Sequence, residues 1–377
     1  MEPKTLELKL SRAQVAGHDL LRVELQAVRG APLAPEVALV LDRSGSMAGR
    51  KLAEAKAAAR FLLSALPETG RLALVAYDHE VEVGGFSREE ALGFLEGLEA
   101  RGNTALHAGW KMGTELLRNP SRPRLLLLLL TDGLANVGLT DPKALVQEAA
   151  KAAEAGVYTF TLGFGEGYDR ELLAGMALAG GGTHLYAAQG ELQEALEGEL
   201  AFLRGPVNLG ARLALGEQVR HLAPFAPGER RVVLLRVEGE MPLEVEERTP
   251  HGKVSRLFPL PPRAPKGSPD WHLVELEELL AAGARLLAAE PQDKEEAKAL
   301  RQQALDLKER LEGHPLAQNP RAQALVEALE AFAGTLAQLA RRFDIHLSDR
   351  TAREGRAYAT RLFSEERTLA QRYRKRS

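Results

Sequence analysis

The chain has 377 residues, 45% of them hydrophobic and 27% charged, with a formal net charge of −3. That balance describes a folded protein of two or three domains and excludes a disordered chain or a strongly basic nucleic-acid coat. With no cysteine, disulfides, thiolate metal sites and cysteine nucleophiles are excluded too.

The opening MEPKTLELKL is charged and alternating and lacks the apolar stretch of a secretory signal, so a cytoplasmic protein is expected. The longest apolar run outside the alanine-rich stretches, Leu125 to Leu130, falls far short of the roughly 18–20 residues that span a bilayer. Leu6, Leu8 and Leu10 share one face of a first strand, and Leu21, Val23, Leu25 and Ala27 one face of a second. Residues 1–35 are expected to supply part of a β-sandwich, ending at the Ala31-Pro32-Leu33-Ala34-Pro35 break.

Over residues 36–203 the rhythm changes. Apolar runs alternate with amphipathic helical stretches: VALVL (37–41), a helix near 49–65, RLALVAY (71–77), a short EVEVG strand, and helices near 88–97 and 105–117. LLLLLL (125–130), a helix near 141–155, VYTFTLGFG (157–165), a short helix near 169–177, the strand HLY (184–186) and a helix at 190–203 complete the series. Strands apolar on both faces and separated by helices signal a doubly wound, mainly parallel α/β sheet of Rossmann-like type.

Residues 204–258 return to period two, with Val207, Leu209, Ala211, Leu213 and Leu215 on one strand face, VVLLRVE (232–238), and Met241, Leu243 and Val245. These strands and the N-terminal pair are each too few for a core, so together they read as one sandwich into which the α/β domain is inserted. Residues 259–270 read as a stiff proline-rich linker. Residues 271–377 read as a helical hairpin and tail, on the stripes Leu300, Ala304, Leu307, Leu311 and Leu325, Leu329, Phe332, Leu336, Leu339, Phe343, with the break at 313–321.

The chemistry begins where the first parallel strand ends, at Asp42-Arg43-Ser44-Gly45-Ser46. An acid followed by two hydroxyls at alternate positions puts three oxygen ligands on one tight loop; the competing reading is that these residues cap the next helix. Gly102-Asn103-Thr104 opens the third helix with another hydroxyl, and Thr131-Asp132-Gly133 ends the six-leucine strand with another acid. In a doubly wound sheet ligands sit beyond the carboxyl ends of the strands where their order reverses. If VALVL and LLLLLL flank that point, Asp42, Ser44, Ser46, Thr104 and Asp132 converge as hard oxygen donors suited to Mg²⁺ or Ca²⁺.

In this spacing the chain resembles the von Willebrand factor A domain family and its metal-ion-dependent adhesion site: D-x-S-x-S at Asp42, Ser44 and Ser46, then Thr104, then Asp132. LVLDRSGSM, GGFS, GNTALHAGW, LLTDGLANVG and YTFTLGFGEGYDRELL add to the likeness over about 36–203. The β-rich flanks are similar to those of inter-α-trypsin-inhibitor-like and bacterial relatives. The resemblance implies a bound divalent cation, Mg²⁺ with Mn²⁺ or Ca²⁺ as alternatives, whose open position takes an Asp or Glu carboxylate of a partner protein. It also implies a switch in which direct ligation shifts between Thr104 and Asp132 while the helix at 190–203 moves.

Arg43, Met47, Arg101, Asn103, Leu134 and Asn136 lie within two or three positions of these ligands and are the expected partner-binding rim, mixed apolar and basic. The alternative is that Asn136 caps a turn and Arg43 is merely solvated. No enzyme is expected: the loop lacks the second acid of a D-x-D phosphotransfer site, and no G-x-S-x-G or G-x-x-x-x-G-K-[ST] motif occurs. Gly163 to Gly167 is too short for a dinucleotide fingerprint, and Asp78 and His79 read as turn residues. No histidine pair has zinc-hydrolase H-x-x-x-H spacing. Two rival readings are a scaffold whose metal only staples loops, and a nucleic-acid-associated protein using the basic stretch from Arg350 to Ser377.

Overall fold

The computed structural model describes residues 5–28, 31–68, 70–130, 136–164, 169–187, 206–287, 289 and 291–342. The chain divides into two compact units, Met1–Glu7 with Gln26–Glu229 and Leu243–Phe258, and Leu8–Leu25 with Arg230–Pro242 and Pro259–Ser377.

Strands β1 (Leu6–Val15) and β2 (His18–Ala27) come first. The α/β sheet of the first unit follows, with β3 (Glu36–Asp42), β4 (Arg71–Tyr77), β5 (Val81–Gly85), β6 (Arg124–Leu130), β7 (Val157–Phe164) and β8 (Gly181–Ala187). Their order is β5-β4-β3-β6-β7-β8, all parallel except the β4–β5 hairpin. β3 and β6 are neighbours, as the VALVL and LLLLLL reading requires. Among the described residues the helices that connect the strands are α1 (Arg50–Ala65), α2 (Arg88–Gly97), α3 (Leu106–Leu116), α4 (Pro142–Glu154) and α5 (Arg170–Ala179).

The pleat of β3 explains why its whole sequence is apolar before Asp42. Val37, Leu39 and Leu41 point into one core with α1 and α2, whereas Ala38 and Val40 point into a second core with α3, α4 and α5. Leu125 and Leu127 of β6 join the first core and Leu126 the second. A half-exposed strand would have needed polar residues at every other position.

The later strands are β9 (Ala211–Leu215), β10 (Gln218–Leu222), β11 (Arg230–Arg236), β12 (Leu243–Thr249) and β13 (Gly252–Phe258). They do not all join one sheet. β10-β9-β12-β13 is an antiparallel sheet of the first unit, whereas β11 pairs with β2 in the sheet β1-β2-β11. The flanking strands thus form two sheets, as a sandwich requires, and within β1-β2-β11 Glu24 of β2 pairs with Arg230 of β11 at 3.3 Å.

Within the first unit, Arg248 of β12 ties the four-stranded sheet to the α/β layer. Its guanidinium donates to the Ala153 and Glu154 carbonyls at 2.8 and 2.7 Å, at the C-terminal end of α4, where a cation is favoured. His221 of β10 is buried nearby, and burial followed by the Arg248 and Arg212 charges pushes its pKa down from 6.5 to about 4. A group depressed on folding stabilises fully above its unfolded pKa, and that contribution declines as pH falls from about 6.5 towards 4. The wild type is expected to lose roughly 2–3 kcal/mol more than His221→Gln over that window, read by urea titrations at pH 7 and pH 4.5.

Among the described residues of the second unit the expected hairpin is joined by a further helix, giving α6 (Pro269–Leu287), α7 (Lys294–Glu312) and α8 (Pro320–Arg342). Leu300, Ala304, Leu307 and Leu311 of α7 meet Leu325, Leu329, Phe332 and Leu336 of α8 in one core, as their spacing implies. α6 divides its face: Leu276, Leu279 and Leu287 join that core, and Trp271 and Val274 pack on Ala13, Val15 and Leu20. Phe343 lies outside the described residues.

The proline-rich segment 259–270 is not a free linker. The Ala264 N–H donates to the Arg12 carbonyl at 2.7 Å and the Arg263 guanidinium donates to Asp19 at 2.7 Å. Prolines remove donors only at their own positions, so the residues between them still bond to the strand alongside. Among the described residues no helix is long and apolar enough to cross a membrane.

Candidate metal centre

β3 delivers Asp42 to the carboxyl edge of the sheet, fully buried. Its Oδ1 accepts the Ser44 N–H at 2.7 Å, which folds the chain back at once. A single 3₁₀ turn over Gly45–Met47 follows, and the Ser44 and Ser46 hydroxyls stand 3.1 Å apart, Ser44 buried and Ser46 exposed. The capping alternative fails locally: the N-cap of α1 is Gly49, without a side-chain cap bond, and Ser44 makes none to the 3₁₀ turn. The Asp and Ser side chains face the loop, not the helix end.

The loop that bears Thr104 is stitched to this one through its main chain. The Gly45 N–H donates to the Gly102 carbonyl at 3.0 Å, and the Arg101 N–H to the Arg43 carbonyl at 2.9 Å. Gly102 has φ +67, and a Cβ there would lie 2.1 Å from His79 Nδ1, so both backbone and space call for glycine. The loop after β6 is tied in by Asn136, whose Oδ1 accepts the Thr104 N–H at 2.8 Å and whose own N–H donates to the Thr104 carbonyl at 3.1 Å. Thr104 itself is buried.

Beneath the loops lies an acid that the sequence reading set aside as a turn residue. Asp78, one residue past β4, is completely buried. Its Oδ2 accepts from Arg43 Nε at 2.9 Å and Arg101 Nε at 2.8 Å, and its Oδ1 accepts the Glu80 N–H at 2.7 Å. Its carbonyl accepts the Ala105 N–H at 2.7 Å. Burial alone would raise the Asp78 pKa; the Glu80 N–H, Arg101 and Arg43 together outweigh it and hold the carboxyl below its ordinary value. The sequence carried part of the signal, since an acid directly follows the apolar run RLALVAY as Asp42 ends VALVL; the register, with Tyr77 opposite Asp42, shows that the two strand ends are equivalent.

This network corrects the expected rim. Met47 is fully buried in the α1-side core, so it offers no surface. Arg43 is also buried, held by Asp78 and, at 2.7 Å, by Glu82. Arg101 is half exposed, but its charge is met by Asp78 and by Glu80 at 3.0 Å, so the rim is not basic. Asn103 is exposed, and Asn136 is exposed while serving as the clasp on Thr104. Asp132, Leu134, the helix at 190–203 and the stretch from Arg350 to Ser377 lie outside the described residues.

The Asp42 carboxylate and the Ser44 and Ser46 hydroxyls share one loop, and main-chain hydrogen bonds bring alongside it the loop that bears the Thr104 hydroxyl, so every donor on offer is an oxygen. Adjacent ligands of an octahedral Mg²⁺ with bonds of about 2.0–2.1 Å stand about 2.9 Å apart, close to the 3.1 Å between the two serine hydroxyls. The residues present fit a hard divalent cation.

Residues 36–197 match the family model described as von Willebrand factor type A domain. Inter-alpha-trypsin inhibitor heavy chain H3 of Homo sapiens is 32% identical over 172 residues, covering 41% of this chain and 19% of that protein. An uncharacterised protein of Synechocystis is 32% identical over 154 residues, covering 39% of this chain and 36% of its own. The match thus spans about a fifth of the human relative's length. Among solved structures, a von Willebrand factor type A protein from Catenulispora acidiphila aligns over 97% of this chain and 96% of its own, with TM-score 0.60 and 15% identity. The ArnB paralog VWA2 from Sulfolobus acidocaldarius aligns over 97% and 99%, with TM-score 0.59 and 15% identity. In both, the likeness of fold runs beyond residues 36–197.

Proposed function

Proceeding from a von Willebrand factor type A domain over residues 36–197, we propose that Asp42, Ser44, Ser46 and Thr104, joined by Asp132, hold one divalent cation, Mg²⁺ before Mn²⁺ or Ca²⁺, and that the protein binds a partner protein there through an Asp or Glu side chain. Domains of this kind generally mediate metal-dependent protein interactions. The observation that carries the reading is the buried Asp42 carboxylate beside two hydroxyls 3.1 Å apart, on a loop hydrogen-bonded to the one bearing Thr104. When bound, the cation supplies a Lewis-acidic position that an incoming carboxylate can complete.

The chain's own part is to hold these oxygens in place before the cation arrives. Asp78 does so from below, fixing Arg43 and Arg101 on either side of the stitched loops. Asp78 is poorly placed to act as a base, because its carboxylate is buried, paired with two arginines and depressed in pKa, which favours binding over catalysis. The exposed Asn103 and half-exposed Arg101 then border the opening, with Glu80 and Glu82 beside them.

Calorimetric titration of Mg²⁺, Mn²⁺ and Ca²⁺ into chelator-stripped protein tests this. Saturable one-site binding is expected, weakened at least tenfold by Asp42→Ala and strengthened by added acetate or glutamate. Equal binding by wild type and variant would overturn the reading.

A further inference from the structure

The second unit holds a cluster of different chemistry. His272 and Glu275 lie one turn apart near the start of α6, and His314 follows the end of α7. Glu275 Oε2 is 3.2 Å from His314 Nε2 and 3.4 Å from His272 Nδ1. The two imidazole rings stand at 90° with centroids 5.4 Å apart. One potential ligand atom from each of the three residues falls within 4.8 Å of the others.

Two features distinguish this trio from an ordinary ion pair. First, His272 Nδ1 and His314 Nε2 are both buried and neither makes a well-directed hydrogen bond, although the carboxylate oxygen is within reach of each. The His314 side chain is only 3% exposed, so water does not readily replace the missing bond. Second, the two separations from Glu275 Oε2 are those between ligands of one ion. Ligands about 2.0–2.1 Å from a tetrahedral ion stand about 3.3 Å from one another, and the two measured separations are 3.2 and 3.4 Å.

We propose that His272, Glu275 and His314 form a second metal site, selective for Zn²⁺, that joins the start of α6 to the turn between α7 and α8. Two imidazoles and one carboxylate are the donor set that zinc takes in three-ligand sites, with water in the fourth position, and they disfavour Mg²⁺ and Ca²⁺. The site is independent of the proposed cation at Asp42.

Binding carries a built-in reporter. His314 Nδ1 accepts the Leu316 N–H at 3.0 Å, so in the metal-free state its proton sits on Nε2. Ligation through Nε2 transfers the proton to Nδ1 and breaks the Leu316 bond.

The test uses the untagged full chain carrying Asp42→Ala, stripped with chelator and titrated with Zn²⁺ and, in parallel, Co²⁺. One Zn²⁺ per chain, the visible absorption of tetrahedral Co²⁺, and a displaced Leu316 amide resonance are expected. His272→Ala and Glu275→Gln are each expected to weaken Zn²⁺ at least tenfold. Glu275→Gln keeps side-chain volume, and an unchanged metal-free melting temperature in it separates lost ligation from lost folding. Zn²⁺ affinity unaltered by both substitutions, or an octahedral Co²⁺ spectrum, would overturn the site and leave the trio a metal-free contact.

Discussion

Asp78→Ala is expected to destabilise the folded chain by about 3–5 kcal/mol, because it leaves a buried guanidinium without its carboxylate. Arg43 retains only Glu82, itself half exposed, while its Nε loses the Asp78 oxygen 2.9 Å away. Arg101, already half exposed, turns to solvent at little cost. Asp78→Asn keeps the shape and the bond from the Glu80 N–H but removes the charge, so its loss should fall between wild type and alanine. The pH dependence has a definite sign. The Asp78 carboxyl is held below its ordinary value, so its contribution is complete above the ordinary carboxylate range and disappears only as pH falls through the depressed value. Urea titration at neutral pH gives the first number. Because Arg43 and Arg101 flank the stitched loops, cation affinity at Asp42 should fall in both variants. A variant as stable as wild type would remove Asp78 from the role assigned to it.

The α/β unit was legible because its signals are local and redundant. Strands buried on both faces must be apolar throughout, so β3, β6 and β7 were visible as runs, and the ligand motif sat at the end of one of them. The site's support was less legible because it depends on which strand ends become neighbours. Asp78 follows an apolar strand as Asp42 does, but only the register of β3 with β4 makes it a hub. The rim failed for the opposite reason. Nearness in sequence placed Met47 and Arg43 beside the ligands, yet the 3₁₀ turn sends Met47 inward and the buried carboxylate draws Arg43 down. The helical trio was out of reach of spacing rules altogether, since His314 is separated from His272 and Glu275 by the whole of α7.

Gly109→Leu should be the most damaging change on the other side of the sheet, at about 3 kcal/mol or more from overpacking. In sequence, Gly109 looks like an unfavourable helix residue, and replacing it would be expected to gain up to about 1 kcal/mol of helix propensity. The packing reverses that sign. A Cβ at Gly109 would lie 2.4 Å from Tyr77 Cδ1 and 2.9 Å from Tyr77 Cβ, and one at Gly113, a turn later, 2.6 Å from Val40 Cγ2. Tyr77 is fully buried and immediately precedes Asp78, so its ring has nowhere to go. The two glycines let α3 lie close on β3 and β4. The same closeness sets the chain entering α3, where Ala105 bonds to the Asp78 carbonyl and Thr104 follows the Gly102 that is bonded to the Asp42 loop. Pushing α3 outward by even part of a side chain therefore loosens the candidate metal centre as well as the core. Gly109→Ala, the smaller insertion, should destabilise less while still lowering Mg²⁺ affinity, as judged by melting temperature and calorimetry on the same samples. Affinity retained at wild-type level in both variants would show that Thr104 is positioned by its own loop and Asn136, independently of the seating of α3.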